Sequence, residues 1–296
     1  MSDRHEAYAL NSRWARRSFD RAAGTYDEAA VLHAQVRETL LDRLKFVALS
    51  PRAVLDAGAG TGHASRALKR RYPKALVVAL DSSLGMLRIA ARQQSWLRPF
   101  ARACADAEML PLQDGSVDLI LSNLMLHWCN PDAVFAEFRR VLRAQGLLCF
   151  SAFGPDTLRE LRDAWAACDS RVHVHQFIDM HDLGDALVRA GFAAPVLDVE
   201  RFTLSYANVR KVAADLKATG AHNAAQGRTP GLTGPRKFAR MQAAYERFRQ
   251  DGRLPATYEV VFAHAWTPSA PAAAARDGTS VSLEEIKRKL RAHREK

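Results

Sequence analysis

Cysteine is scarce in this sequence of 296 residues, and its placement excludes a disulfide-stapled fold. The four cysteines lie far apart and form no Cys-x-x-Cys pair: Cys104, Cys129, Cys149 and Cys168. They fall within apolar or helical patterns, and a free cysteine usually behaves as a small core residue. We therefore expect four reduced, buried thiols with no metal or redox role.

Long apolar runs are also missing, which argues against a membrane-spanning helix. No run approaches the roughly 20 residues that such a helix needs. The first residues mix acidic and basic side chains without the apolar segment of a secretory signal, and the early acids disfavour a mitochondrial leader. Because 48% of the residues are hydrophobic, the chain can bury a sizeable core. We expect one large cytoplasmic α/β domain.

Acidic residues are too few to balance the basic ones, so the formal net charge is +11 at neutral pH. A positive excess attracts acidic partners such as nucleic acid, a membrane surface or an acidic protein. The basic residues occur in short scattered groups, without the interleaved aromatic residues of a base-stacking platform. We therefore expect no nucleic-acid partner. A merely solvated basic surface and an acidic protein partner both stay open.

Short apolar runs alternate with amphipathic helices, which is typical of an α/β fold whose parallel sheet is covered by helices on both faces. The runs predicted as strands are 53–57, 76–80, 102–105, 117–122, 147–152, 197–206 and 257–266. We expect a helical cap at 1–50, a main domain at 51–266 with a helical insert at about 207–256, and a linker with a basic helix at 267–296. The long connection before the last strand is typical of a substrate-binding insert.

A glycine-rich turn follows the first predicted strand, with the spacing Gly-x-Gly-x-Gly at Gly58, Gly60 and Gly62. Such a turn brings backbone N–H groups and a helix N-terminus to the carboxyl edge of the sheet, where ligands bind in open α/β folds. A dinucleotide-binding turn would have its third glycine or an alanine where His63 stands. Asp56 would repel a pyrophosphate, but it can accept from a ligand ammonium group or organise the turn. The pattern favours a cofactor with a positively charged amino acid tail.

Two further acidic residues follow later strands. Asp81 ends the second strand about 20 residues beyond the turn, where a carboxylate can accept hydrogen bonds from two ribose hydroxyls. Asp106 follows the third strand and begins a turn suited to lie beside an adenine ring. Three acids in this order, each at a strand end, indicate a nucleoside-containing cofactor.

These residues resemble the nucleotide-binding motifs of the class I S-adenosylmethionine-dependent methyltransferases, which have a Rossmann-like fold. In that family the first acid and the glycines hold the methionine part, the second acid the ribose and the third the adenine edge. The resemblance implies S-adenosylmethionine as cofactor, bound by Asp56, Gly58, Gly60, Gly62, Asp81, Ser82, Met86, Asp106, Ala107, Asn123 and Leu124. Residues 122–128 match the family's fourth-strand loop, which faces the methyl group. A purely structural strand end is the alternative.

Further segments resemble the malonyl-acyl-carrier-protein O-methyltransferases of biotin synthesis. They are 18–27, 153–161, 177–182, 220–224, 231–234 and 255–259. The resemblance departs at Gly24 and in the C-terminal tail, and it implies methyl transfer to the free carboxylate of a malonyl thioester on acyl carrier protein. Two alternatives stay open. One is a methyltransferase for another small acid or a quinone precursor, and the other is a relative of the arginine-hydroxylating mitochondrial assembly factor of complex I.

A carboxylate is already ionised at neutral pH, so the implied reaction needs no general base. The sequence accordingly offers no evident Ser-His-Asp or paired-carboxylate site. The residues predicted to hold the substrate and close over the methyl group are Tyr26, His127, His222, Asn223, Arg228 and Tyr258. Arg228 is the preferred cation because a guanidinium binds a carboxylate through two hydrogen bonds. Carrier proteins are acidic, so the basic surface would also gain a partner.

Some of these predictions have plain structural alternatives. Arg236 and Arg240 are close to Arg228 in sequence, and Gly220 allows the residues after it to form a helix C-cap and turn. His173 and His175 alternate along one face, but no further metal ligands accompany them. We therefore expect no metal site.

Overall fold

The computed structural model describes residues 10–225 and 233–269, and one sheet of seven strands organises them. The strands are β1 (Ala53–Ala57), β2 (Leu76–Asp81), β3 (Ala101–Cys104), β4 (Val117–Asn123), β5 (Leu142–Phe153), β6 (Ala193–Tyr206) and β7 (Leu254–Trp266). Their order in the sheet is β3-β2-β1-β4-β5-β7-β6. Neighbours are parallel except at β7, which runs antiparallel to β5 and β6. The predicted mostly parallel seven-stranded sheet is confirmed.

Helices precede the sheet and connect its strands. The α-helices of the described residues are α1 (Ser12–Ala22), α2 (Tyr26–Ala29), α3 (Val31–Arg43), α4 (His63–Arg71), α5 (Leu84–Gln93), α6 (Pro131–Val141), α7 (Arg159–Ala166), α8 (Met180–Arg189), α9 (Val209–Ala218) and α10 (Pro235–Tyr245). Short 3-10 turns cover Leu44–Phe46, Leu126–Trp128 and Glu246–Phe248. α9 and α10 lie between β6 and β7, where the helical insert is predicted. The predicted tail beyond residue 269 lies outside the described residues, and the domain boundaries stay a prediction.

The sheet is buried on both faces because successive residues of a strand point to opposite sides. Val54 belongs to one apolar cluster and its neighbour Leu55 to another. The first cluster contains Leu40 of α3, and the second contains Phe135 of α6 and Leu187 of α8. The N-terminal helix α3 is therefore part of the main core, packed on the sheet face opposite to α6 and α8.

Several strands are longer than the apolar runs that predict them. β7 begins at Leu254, three residues before the predicted start, because it pairs with the full length of β6, from Tyr206 opposite Leu254 to Ala193 opposite Trp266. β6 lies at the edge of the sheet, and its residues alternate between exposed and partly buried positions. An edge strand of this kind contains polar residues that a search for apolar runs passes over.

Of the four cysteines predicted to be buried, one is buried, two are half-buried and one is exposed. Cys104 is exposed because β3 lies at the opposite edge of the sheet, whereas Cys149 in the central strand β5 is buried. Cys129 and Cys168 are half-buried. Within the described ranges, no three His, Cys, Asp or Glu side chains are arranged to hold a metal ion. None of the helices described is both long and apolar enough to cross a membrane.

Candidate active site

A cavity of about 300 Å³ lies at the carboxyl ends of the parallel strands. The turns after β1 to β4 line one side, and residues of α1, α3, β6, α9 and β7 line the other. The predicted site residues found in its wall are Tyr26, Gly58, Gly60, Asp81, Ser82, Met86, Asp106, Ala107, Asn123, Leu124, Asn223 and Tyr258. Asp56, Gly62, His127 and His222 do not line the cavity as described. Arg228 lies outside the described residues.

The three glycines of the turn share a left-handed backbone conformation, but the space around each of them differs. All have positive φ, at +74° for Gly58, +54° for Gly60 and +81° for Gly62, a backbone conformation that residues other than glycine rarely adopt. A Cβ on Gly58 would lie 2.5 Å from the Met125 side chain, and one on Gly62 would lie 2.8 Å from the Cβ of Ala90. A Cβ on Gly60 would meet no other atom within 4 Å. Gly60 therefore leaves open space at the cavity wall, while Gly62 allows α4 to pack against α5.

Asp81 joins the glycine turn to the start of α5. One carboxylate oxygen accepts the N–H of Gly60 at 2.8 Å, and the other accepts the N–H of Ser83 at 2.8 Å. Burial raises the pKa of Asp81, although these two hydrogen bonds oppose the shift. Each carboxylate oxygen has more than one lone pair, so the group can accept further hydrogen bonds from a ligand. Asp106 also lines the cavity, and its Oδ1 accepts the N–H of Glu108 at 3.0 Å.

Asp56 lies behind the turn rather than in the cavity wall. Its side chain is buried, and its Oδ2 accepts a hydrogen bond from the hydroxyl of Ser65 in α4. Burial raises the pKa of Asp56 to about 7, and the nearby charge of Asp81 adds to the rise, while the bond from Ser65 opposes it. Of the two roles that the sequence leaves open, this geometry agrees with organising the turn and the first turn of α4.

Two aspartates of the N-terminal helices bind the same turns, and sequence reasoning did not single them out. Oδ1 of Asp27 accepts the hydroxyl of Thr61 at 2.6 Å, and its Oδ2 accepts the amide of Gln93 at 2.6 Å. Oδ1 of Asp20 accepts the hydroxyl of Ser83 at 2.6 Å and the N–H of Gly85 at 2.9 Å. We call Asp20 and Asp27 the N-terminal latch.

The position of Asp27 also affects its charge. Its carboxylate lies 3.2 Å from Nε2 of His63. Burial by itself raises the pKa of Asp27, but the hydrogen bonds from Thr61, Gln93 and His63 outweigh burial and lower it. The latch residue is therefore an ionised carboxylate at neutral pH. The segment 18–27, noted for its resemblance, was the available sequence signal.

The loop after β4 places one amide in the wall of the cavity. Oδ1 of Asn123 accepts the hydroxyl of Ser151 at 3.0 Å, and its Nδ2 donates to the carbonyl of His33 at 3.2 Å. Leu124 follows at a φ of +52°, which is a strained backbone conformation for leucine. Its N–H donates to Ser151. These contacts hold the loop against β5 and α3.

The same loop places His127 behind the cavity wall. Its ring packs 4.5 Å from that of Phe153 and 5.7 Å from that of Phe177, and Trp128 forms the wall instead. Burial lowers the pKa of His127 well below its usual value. His127 is therefore neutral, and a direct contact with a methyl group in the cavity is not visible in this arrangement.

Three histidines line the cavity, His33, His173 and His175, and sequence reasoning did not place them there. The ring of His33 lies 5.5 Å from that of Tyr26, and the ring of His175 lies 5.2 Å from Trp128 and 4.6 Å from Phe177. Burial lowers the pKa of both His33 and His175 to about 4. Burial also raises the pKa of Tyr26 above its ordinary value. The rings of Tyr26, His33 and His175 are therefore uncharged at neutral pH.

The insert contributes Asn223 to the wall, and β7 contributes Tyr258. The ring of Tyr258 packs 5.6 Å from that of Phe153. Asn223 donates to the carbonyl of Val172 at 2.7 Å and accepts the N–H of Ala225 at 3.0 Å, so much of its amide is occupied within the chain.

His222 follows the end of α9 rather than lining the cavity. Gly220 has a φ of +76°, and the N–H of Ala221 donates to the carbonyl of Leu216 at 2.8 Å. This arrangement is the helix C-cap that the sequence offers as the structural alternative. The assignment of a substrate role to His222 stays a prediction without a cavity contact.

Comparison with known proteins gives matches over part or most of the chain. A family model described as "Methyltransferase domain" matches residues 55–150, which include the glycine turn, Asp81 and the loop after β4. The phosphoethanolamine N-methyltransferase 2 of Haemonchus contortus has a similar fold, with a TM-score of 0.52 and 15% identity over 86% of this chain and 60% of that one.

Relatives of much higher identity cover nearly the whole chain. A protein of Laribacter hongkongensis is 56% identical over 274 residues, which are 90% of this chain and 92% of that protein. A protein of Methylovorus sp. is 55% identical over 272 residues, with the same two shares. Both are named malonyl-[acyl-carrier protein] O-methyltransferase.

Proposed function

The chain belongs to the malonyl-[acyl-carrier protein] O-methyltransferase family, and we propose that it methylates the free carboxylate of a malonyl thioester on acyl carrier protein. The product would be a methyl ester that can enter biotin synthesis as a disguised fatty acyl primer. The observation that carries this proposal is the wall formed by Tyr26, His33 and His175, whose polar rings are all uncharged at neutral pH. A nucleophile that is already ionised needs no base, and neutral donors can orient it.

The turns after β1 and β2 fit S-adenosylmethionine as the cofactor. Gly60 leaves open space in the wall, and Asp81 is a buried carboxylate whose pKa burial raises. A positively charged ligand nearby would favour the ionised form of Asp81, and ribose hydroxyls can donate to it. Asp106 and Ala107 would lie beside the adenine. When bound, the cofactor would supply an electrophilic methyl group on a sulfonium, and the electron pair of the carbon–sulfur bond would stay on sulfur after transfer.

The residues of this chain would act on the carboxylate by positioning it. Asn123 is fixed by Ser151 and by the backbone of His33, so its amide has a defined direction at the cofactor end of the cavity. Tyr26 and His33 lie beside each other and can donate hydrogen bonds to a carboxylate without a formal charge. A neutral donor orients the nucleophile and leaves its lone pairs available for attack. No proton is moved.

Exclusion of water is the second contribution. Phe153, Phe177, Trp128 and Tyr258 give the wall a largely apolar surface around the polar groups. The latch holds α1 and α2 over the turns after β1 and β2. Orientation of two reactants in such a site can supply roughly 7–11 kcal/mol of the barrier. We assign catalysis in this protein to alignment and desolvation.

Purified protein incubated with malonyl-acyl carrier protein and methyl-labelled S-adenosylmethionine tests the proposal. We expect label on the carrier that mild base releases, as from a methyl ester. Acetyl-acyl carrier protein, which lacks the free carboxylate, should stay unlabelled. Tight cofactor binding with no transfer would support the assembly-factor alternative, and transfer only to free small acids or quinone precursors would support the other one.

A further inference from the structure

The mouth of the cavity at α1 carries two arginines that no described neighbour neutralises. Arg13 and Arg16 line the cavity and are also exposed, so they lie where it opens. Within residues 10–225 and 233–269 they are the only arginine or lysine side chains in its wall. Ser12, Ala15 and Phe19 line the cavity with them, at the spacings of one helical face.

The other charged residues of the wall have the opposite sign and come from other elements. Asp81, Asp106 and Glu108 follow β2 and β3, and Asp215 lies in α9. The cavity therefore has acidic groups along the cofactor turns and the insert, and a positive edge at α1. An anionic group entering the cavity is attracted to α1 and repelled elsewhere.

We propose that Arg13 and Arg16 bind the phosphate of the phosphopantetheine arm that presents the malonyl thioester. This inference rests on the proposed function, because the arm is the part of the carrier that enters the cavity. A guanidinium binds phosphate oxygens through paired hydrogen bonds, and two arginines one helical turn apart can hold one phosphate together.

The phosphate fits this position better than the malonyl carboxylate does. The arm has its phosphate at the carrier end and its thioester at the far end, so the phosphate lies at the mouth when the malonyl group lies deep. Asn123, Tyr26 and His33 also line the cavity and are less exposed than the two arginines. A carboxylate paired with Arg16 would be held at the exposed mouth, away from them, and a bidentate ion pair would occupy its nucleophilic oxygens.

Two small substrates that differ only in the phosphate show how much the phosphate contributes to binding. We would measure KM and kcat for the malonyl thioesters of pantetheine and of 4′-phosphopantetheine with the wild type, Arg13→Ala, Arg16→Ala and the double variant. We expect KM for the phosphorylated thioester to rise about tenfold in the double variant, while KM for malonyl-pantetheine stays unchanged. Arg16→Lys should restore part of the loss because it keeps the charge.

Arg17 provides a matched control on the same helix. It is exposed like Arg16 but does not line the cavity as described. We expect Arg17→Ala to have the same ratio of KM values for the two small thioesters as the wild type. An equal rise for both substrates in Arg16→Ala would instead indicate contact with the malonyl group, and no rise for either would indicate a solvated helix surface. Either result overturns the inference.

A binding measurement keeps this test separate from the proposed function. We would titrate 4′-phosphopantetheine and pantetheine, both without an acyl group, into protein saturated with S-adenosylhomocysteine. We expect the wild type to prefer the phosphorylated compound and the double variant to lose that preference. If the wild type binds with this preference but methylates no malonyl thioester, the proposed reaction fails and the phosphate site stands. Equal binding of the two compounds by the wild type overturns the phosphate site itself.

Discussion

The two sides of the cavity are built in different ways. On the cofactor side, Gly60 and Asp81 follow adjacent parallel strands and bind each other through the backbone N–H of Gly60. On the acceptor side, Tyr26, His175 and Tyr258 come from segments far apart in the chain, and each packs on another ring of the wall: on His33, Phe177 and Phe153, respectively. The cofactor side contains Asp81 and Asp106, whereas the rings of Tyr26, His33 and His175 on the acceptor side are uncharged. In the proposed function, the acids would lie around a charged cofactor, and the neutral rings would orient the anionic nucleophile and exclude water.

Removal of Asp81 should cause the largest change, and it should be confined to the cofactor side. Asp81→Ala removes the expected acceptor for the ribose hydroxyls and also frees the N–H groups of Gly60 and Ser83. We expect the affinity for S-adenosylmethionine to fall by roughly 1.5–3 kcal/mol, which is on the order of 10- to 150-fold. Isothermal titration calorimetry measures this directly.

The exposed Asp114 offers a control for loss of an acid away from the cavity. Its carboxylate pairs with Arg140 on the surface, and Asp114→Ala should leave cofactor affinity unchanged. Affinity of Asp81→Ala equal to that of the wild type would end the assignment of Asp81 to the ribose.

The same contrast explains how far the sequence could be interpreted. The turn, Asp81 and the alternation of strands with helices depend on local spacing and on the period of apolar residues, so they were predictable. His33 and His175 were missed because their chemistry arises from burial against Phe177, Trp128 and Tyr26, which only the tertiary fold brings together. Tertiary packing likewise places His127 behind the cavity wall and its neighbour Trp128 in the wall.

The N-terminal latch crosses the division between the two sides. If α1 and α2 serve the acceptor side alone, Asp27→Ala should alter only the kinetics of the acceptor. Asp27 instead accepts hydrogen bonds from Thr61 of the glycine turn and from Gln93 of α5. We expect Asp27→Ala to weaken S-adenosylmethionine binding about tenfold, which corresponds to about 1.4 kcal/mol.

The neighbouring Glu28 is exposed on the same helix and serves as the matched control. Glu28→Ala should bind the cofactor like the wild type in the same calorimetric titration. A change in acceptor KM alone for Asp27→Ala would restore the strict division between the two sides.

The raised pKa of the buried Asp56 predicts that the affinity for the cofactor depends on pH. Its pKa is raised to about 7 chiefly by burial, so the carboxyl group is partly protonated near neutral pH before a ligand binds. A cationic cofactor favours the ionised form, and binding must then release the proton. Affinity should be constant above about pH 8 and fall as the pH decreases through 7, by up to about tenfold at pH 6, since one pKa unit corresponds to 1.36 kcal/mol.

Calorimetry in buffers of different ionisation enthalpy would count the released protons. Asp56→Asn keeps an acceptor for the hydroxyl of Ser65 but does not titrate, so its affinity should lose this pH dependence. A wild-type profile that stays flat between about pH 8 and pH 6 would contradict an interaction between Asp56 and the positive charge of the cofactor.

The smallest expected effect is a change of KM with ionic strength. It distinguishes recognition of the malonyl thioester from recognition of the carrier protein. The chain has a net charge of +11, and an acidic carrier protein approaching it is steered by charges that salt screens.

Raising the salt concentration from about 0.02 M to about 0.2 M should increase KM for malonyl-acyl carrier protein a few-fold, because the Debye length falls to below about 10 Å. KM for malonyl-pantetheine should change little, since the small substrate has no extended acidic surface. Steady-state kinetics with both substrates at matched salt concentrations measures the difference. Equal responses would mean that the positive surface does not recognise the carrier, and the charge of the protein would then need another explanation.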